Sequence, residues 1–267
     1  YLADQWFVKM DELAQSAMDA VTDGRVEIFP NRYAKSYLDW LGEKRDWPVS
    51  RQLWWGQQIP AWYDEEGKYV VAATEEEAKK IWLIKNPKSE IANLKLKQDE
   101  DVLDTWFSSW LWPMEVFKGI SKPGNKEINY YYPTSVLVTG QDIIFFWVAR
   151  MIMAGYEYEN KPPFKDVYFT GMVRDKQGRK MSKQLGNSPD LLGLIDTYGA
   201  DAVRFGIMIA SPAGNDLLFD ESSLEQGRNF NNKLWNALKL VKLWDNRKSE
   251  VASRESQPTT HSPLTTG

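Results

Sequence analysis

A strand, a glycine turn, a helix and a second strand follow one another between residues 135 and 170. That succession constrains the fold more than any other feature of the chain. Ser135–Thr139 is an unbroken β-run. Gly140-Gln141-Asp142 follows it, and Ile143–Tyr156 is apolar nearly all round, as a buried helix is. Val167–Thr170 supplies the second strand. Such a βαβ unit implies a parallel sheet with a right-handed crossover. Ligands of parallel sheets bind beyond the carboxyl ends of the strands. Gly140–Asp142 and the stretch Gly171–Asn187 both follow such ends. Asp142 and the lysines of 171–187 are therefore expected around one crevice.

Gly171–Asn187 carries Arg174, Lys176, Arg179, Lys180 and Lys183 between glycines at 171, 178 and 186. Glycines free the backbone to wrap a ligand. Ammonium groups on such a loop can hold a polyphosphate and stabilise charge as a phosphoryl–oxygen bond breaks. The plain alternative is a solvated basic turn. A helix start at Ser188-Pro189-Asp190 receives the loop.

The totals narrow the classes. At 267 residues the chain can bury a sizeable core in one large domain or two smaller ones. A net charge of −4 argues against a globally basic nucleic-acid binder. Without Cys there is no disulfide and no thiolate metal site, and a reducing compartment is permitted. The one histidine, His261, sits in a polar tail, which excludes a catalytic or metal-binding His in the folded part. No apolar run of about 18 residues reads as a membrane span. The start, Tyr1-Leu2-Ala3-Asp4, reads as a cut from a longer chain. The 13 Trp require grooves or pockets to fill.

Upstream, Gln5–Met10 and Val26–Phe29 read as strands. Asp11–Thr22 reads as a helix stopped by Gly24, and Asn31 as the cap of another. Trp47–Pro60 starts as a strand and contains Trp54-Trp55-Gly56, either a core turn or an aromatic wall. Ala61–Ala73 reads as a hairpin, and Thr74 with Glu77 as a capping box. Lys85–Asp101 is charged and loop-like, which makes 61–100 a small insertion. Downstream, Pro189–Tyr198 and Ala200–Ala210 are helices, Ser211–Asp216 a loop and Ser222–Asn246 a long helix whose basic positions read as a solvated face or, alternatively, an RNA contact. The tail 247–267 is expected to be disordered.

Lys180-Met181-Ser182-Lys183-Gln184 resembles the KMSKS signature of class I aminoacyl-tRNA synthetases. The flanks are more specific. Asp46–Tyr63, Asp101–Ser109, Pro133–Met153 and Phe164–Asn187 resemble the valyl-tRNA synthetase family, and the likeness runs from Gln5 to Trp244. Leu53-Trp54-Trp55 and Asp142–Trp147 favour valyl over isoleucyl enzymes.

The resemblance implies an α/β fold. Residues 1–60 and 101–197 form the second half of a Rossmann-like parallel-sheet nucleotide-binding domain, 61–100 a small α+β insertion, and 198–246 a helical stem beginning the anticodon-binding domain. It also implies a cytoplasmic enzyme that converts valine and ATP, accompanied by Mg2+, to valyl-adenylate and transfers valine to tRNA(Val). No protein-bound metal is implied. Lys180, Lys183 and Ser182 match the catalytic signature, with Lys183 on pyrophosphate in the transition state. Asp142 matches the acid that binds the ribose, with Thr139 and Gly140 beside it. Met172 and Val173 would offer backbone to adenine. Trp106, Trp147 and Ile143 match the valine pocket.

Departures are plain. Gln184 replaces the last Ser of the signature, and the first-half motif His-x-Gly-His is absent. The first half of the nucleotide fold and the editing domain are expected upstream, and the chain alone is expected not to make valyl-adenylate. The alternatives are an isoleucyl-tRNA synthetase and a non-catalytic tRNA-binding module of synthetase type.

Overall fold

A computed structural model describes residues 4–43, 45–87, 94–182 and 184–255. It contains two compact units, Tyr1–Thr170 and Gly171–Gly267.

The first unit opens with β1 (Phe7–Val8), α1 (Asp11–Thr22), β2 (Glu27–Phe29), α2 (Arg32–Gly42), β3 (Trp47–Pro48) and β4 (Ser50–Arg51). β5 (Ala61–Tyr63), β6 (Tyr69–Val71), α3 (Glu75–Lys85) and β7 (Lys97–Gln98) follow. Then come β8 (Val102–Leu103), α4 (Thr105–Ser109), α5 (Trp112–Glu115), α6 (Lys126–Tyr131) and β9 (Thr134–Gly140). A 3-10 turn, Gln141–Ile143, and a π-helical turn, Ile144–Val148, lead into α7 (Ala149–Glu159) and β10 (Phe164–Thr170).

The expected βαβ unit is present. β9 and β10 are parallel neighbours, and β2 adds a third parallel strand on the far side of β10. Val167, paired with both Ile28 and Leu137, is fully buried at the centre. Helix α1 turns Ala14, Ala17 and Ala20 inward and packs on α7, whose residues Ala149–Gly155 are all buried. Small residues on one helix let the bulkier partner approach closely. On the sheet, Phe29, Val136, Val138 and Tyr168 remain exposed, although parallel sheets normally bury both faces.

Several expectations need correction. Asn31 precedes α2 but does not cap it, because its own backbone is already helical (φ −56, ψ −23) where a capping residue is extended. The box at α3 is skewed: Thr74 Oγ1 accepts from Glu77 N at 3.3 Å, while the Glu77 carboxylate reaches Ala73 N instead of Thr74 N. Lys97–Gln98 is a strand, pairing with β5 to complete the sheet β6-β5-β7. That sheet and α3 share a small separate core of Val70, Ala72, Ala78 and Trp82. Trp54 and Trp55 are 98% and 89% exposed, so the core-turn reading fails there.

The second unit contains β11 (Val173–Arg174), α8 (Leu191–Tyr198), α9 (Ala200–Ala210), β12 (Leu217–Leu218) and α10 (Ser222–Glu255). β11 and β12 pair in parallel. The long helix continues to Glu255, past the expected end at Asn246, so the first part of the tail is helical. Residues 256–267 lie outside the described residues. α9 and α10 meet through small residues: a Cβ on Gly227 would stand 2.4 Å from Ala202 O, and one on Gly206 2.6 Å from Ser223 O. Among the described residues, no helix is long and apolar enough to cross a membrane.

Candidate active site

In the first unit, β9 ends at Thr139 and Gly140, which pair with Phe169 and Thr170 of β10. The Thr170 hydroxyl donates to Thr139 O at 3.4 Å. The chain then tightens into the 3-10 turn. Tyr33 of α2 donates to the Gln141 side chain. Asp142, one residue on, is exposed and has no hydrogen bond or ion pair among the described residues. A carboxylate just past a strand's carboxyl end can accept hydrogen bonds from a ligand's hydroxyl groups.

The following turn is π-helical, a form that often marks functional sites. Its Trp147 donates from Nε1 to Ser109 O at 3.0 Å. Its Phe146 stacks with Trp106 at 5.8 Å between ring centroids. Ser109 and Trp106 both belong to α4, so two contacts join the π-turn to α4. Trp106 and Trp147 both pack against the main core at the junction of α4 and the π-turn, and the half-buried Ile143 ends the 3-10 turn just before it.

Beneath these aromatics lies a buried ionic cluster that sequence reasoning missed. Asp104, at the start of α4, is 6% exposed and Arg150 7%. The Asp104 carboxylate accepts from Trp47 Nε1 at 3.1 Å and Arg150 Nη1 at 3.5 Å, and pairs with Arg51 Nη2 at 3.4 Å. Arg150 lies over the Trp47 ring at 3.6 Å. Burial pushes its guanidinium down to about 10 against the pull of Asp104, and neighbouring Arg51 adds to the lowering. The partners stand 46 residues apart in sequence, so no local pattern announces them.

In the second unit, the loop after Gly171 is organised by one carboxylate. Asp175 Oδ1 accepts from Gln177 N at 3.0 Å and Arg179 N at 2.8 Å. Its Oδ2 accepts from Arg179 Nε at 2.8 Å and Asn187 Nδ2 at 2.9 Å. These bonds, that from Asn187 foremost, hold the carboxyl down to about 2. Gly178 closes the turn at φ 77 by donating to Asp175 O. Asn187 reaches across the loop, accepting from Ser182 N at 2.9 Å and donating to Lys180 O at 3.2 Å. The Ser182 hydroxyl oxygen accepts from Leu185 N, which leaves its proton for another acceptor.

Three of the loop's five basic groups are engaged within the unit. Arg174 is paired with Asp216, Lys176 with Asp220 at 3.3 Å and Arg179 with Asp175. Lys180 is exposed and, among the described residues, is the loop's one basic side chain without a partner. Lys183 lies outside the described residues. The loop borders a cavity of about 280 Å³ lined by Lys176, Met181, Asn187 and Pro189 among others.

The Met172 N–H donates to Asp216 Oδ1 at 2.9 Å and its carbonyl accepts from Leu217 N at 2.9 Å, which engages the N–H and one lone pair of the oxygen. In the same ladder the N–H and C=O of Val173 face away from β12. Gly171 is required here because a Cβ would fall 1.6 Å from Asn215 O. Among the described residues, no group of three or more His, Cys, Asp or Glu could hold a metal ion.

Residues 1–220 match the family of class I tRNA synthetases (I, L, M and V). The chain is 62% identical over 245 residues to a valine–tRNA ligase of Bacteroides fragilis, covering 92% of this chain and 28% of that relative. The chain therefore spans a little over a quarter of that relative's length. Among solved structures, the LeuRS–tRNA–LeuAMS ternary complex of Agrobacterium radiobacter K84 matches with a TM-score of 0.60 at 22% identity, over 72% of this chain and 28% of that one. The methionyl-tRNA synthetase of Mycobacterium tuberculosis bound by methionyl-adenylate matches with a TM-score of 0.60 at 18% identity, over 84% of this chain and 37% of that one. At these identities the structural matches establish the fold.

Proposed function

The chain belongs to the class I tRNA synthetases of the I, L, M and V group, and from that premise we propose that it works as part of an enzyme that activates valine and charges tRNA(Val). Relatives named for valine support the amino acid. The carrying observation is Lys180, an unpaired ammonium held on a loop whose other described basic groups are neutralised internally.

The chemistry needs no nucleophile from the protein. The carboxylate of valine attacks the α-phosphate of ATP in line, and the bond to the leaving pyrophosphate breaks. Such a step is accelerated by positioning and by fixed positive charge. Lys180 and Lys183 stabilise the pyrophosphate as it separates, and the Ser182 hydroxyl donates to a phosphate oxygen. Asp142 accepts from the ribose hydroxyls with Thr139 and Gly140 beside it, and Val173 offers backbone to adenine. Mg2+ enters with the phosphates of ATP. Trp106, Trp147 and Ile143 enclose the valine side chain. In the second step a terminal hydroxyl of the tRNA attacks the adenylate carbonyl and AMP leaves.

The relatives' remaining length is proposed to supply the His-x-Gly-His motif and the editing part, and to cover the exposed sheet face of Phe29, Val136, Val138 and Tyr168. Editing is needed because a hydrophobic pocket rejects threonine, isosteric with valine, only by about 10². Amino-acid-dependent ATP–pyrophosphate exchange by the whole enzyme tests the reading. Valine is expected to support exchange at least about tenfold better than isoleucine, and the 267-residue chain alone is expected to support none. A preference for isoleucine would overturn the valine assignment.

A further inference from the structure

The buried pair Asp104–Arg150 joins the same elements that carry the walls of the proposed valine pocket. Asp104 occupies the residue before α4, where an Asp normally caps the helix, yet it makes no side-chain cap bond. Its carboxylate turns instead to Arg150, Arg51 and the Trp47 indole. Arg150 is enclosed between Asp104 and the face of Trp47, and its buried Nε has no partner. A charged group so enclosed is unfavourable unless its partner stays in place. The pair therefore strongly resists separation of the elements that carry it.

Those elements carry the pocket's walls. Asp104 lies two residues before Trp106. Arg150 lies three residues after Trp147, where the π-turn passes into α7. The ion pair thus ties the base of one wall to the base of the other. The Trp147–Ser109 bond and the Trp106–Phe146 stack tie the same two elements higher up.

We propose that Asp104 and Arg150 are positioning residues that fix the gap between Trp106 and Trp147, and so set which amino-acid side chain the pocket admits. The proposal rests on the valine-pocket reading. One carboxylate and one guanidinium bridge the two elements that carry the rings. Loss of the Asp104 charge leaves Arg150 buried and unpaired, loss of Arg150 leaves Asp104 with only the more exposed Arg51 and the Trp47 indole, and in either case α4 and the π-turn move apart to let in water. A wider gap admits the larger isoleucine at the expense of valine.

The test uses the whole enzyme with Arg150→Met, Arg150→Lys and Asp104→Asn, assayed by exchange with valine, isoleucine and threonine. In Arg150→Met and Asp104→Asn the valine KM is expected to rise more than kcat falls, with the ATP KM unchanged. The valine-over-isoleucine ratio of kcat/KM is expected to drop by about tenfold, the worth of roughly one methylene. Arg150→Lys keeps the charge and is expected to recover part of the ratio. A ratio within twofold of wild type in Asp104→Asn, alongside lowered kcat or lowered melting temperature, overturns the proposal and leaves a merely structural pair, as does an Arg150→Lys ratio no better than that of Asp104→Asn. These two variants carry the test if Arg150→Met fails to fold. If the unsubstituted enzyme does not prefer valine, the valine reading fails first, and the ratio is then taken for whichever amino acid it prefers.

Discussion

The tryptophan frame of the first unit and the basic loop of the second are built in opposite ways. The frame is made by burial: Trp47, Trp110 and Arg150 are almost wholly enclosed, and Trp106 and Trp147 lean on the same core. The loop is made by hydrogen bonds: Asp175 accepts four, Asn187 adds two more, and the side chains around them stay largely in water. Packing of the first kind fixes distances closely and tolerates little change. A loop held through one carboxylate and one amide can open when either lets go. The difference suits the work proposed for each. Discriminating one aliphatic side chain from another needs a rigid gap. Gripping pyrophosphate and releasing it needs charge on a loop that moves.

Substitutions can break or sharpen this contrast. Trp82→Ala empties the small core under β5–β7 and is expected to cost about 3–5 kcal/mol in urea unfolding. Hydrogen exchange should place the loss in β5–β7 and α3, leaving the Trp147–Ser109 bond protected. Exchange spreading through α4 and α7 would mean that the first unit shares one core after all. Gly227→Ala drives a methyl against Ala202 O and is expected to cost about 1–3 kcal/mol. The Asp175 bonds should survive it, since they are local to the loop.

Acid offers a milder probe. Asp175 is held down to about 2 from an ordinary 3.8, so the order it provides is complete above pH 3.8 and is lost as pH falls through about 2. NMR of the Ser182 amide should show this loss. In Asp175→Asn the transition should vanish, and the loop should be mobile at every pH. Persistence of the Ser182–Asn187 bond in that variant would show that Asn187 suffices alone. Smallest of all, Lys176→Met removes an exposed ion pair and is expected to shift stability by less than about 0.5 kcal/mol in thermal unfolding.

The sequence exposes what is periodic and hides what is distant. The βαβ unit from Thr134 to Thr170 and helix α1 are legible because apolar spacing declares them. β7, β11 and β12 have two residues each, too few to show alternation. The signature loop is legible as a loop, but the fate of its charges is not. Arg179 finds Asp175 four residues away, which helix-like or turn spacing could have suggested. Arg174 finds Asp216 across 42 residues, which nothing local foretells. The same separation concealed Asp104 and Arg150. Asn187 carries a legible motif position, yet its bridge from Asp175 to Ser182 depends on the loop's three-dimensional path.

The two units divide the proposed labour: amino-acid recognition in the first unit's frame, phosphate charge in the second unit's loop. Lys180→Met in the whole enzyme is the direct test, because among the described residues the side chain has no partner to lose. The single-turnover rate of adenylate formation is expected to fall by about 10²–10³-fold. The dissociation constant for valine, measured in the same variant, should stay within about twofold of wild type, since a contact made only in the transition state leaves ground-state binding alone. Valine binding weakened by as much as the rate, or a rate unchanged, would contradict the claim.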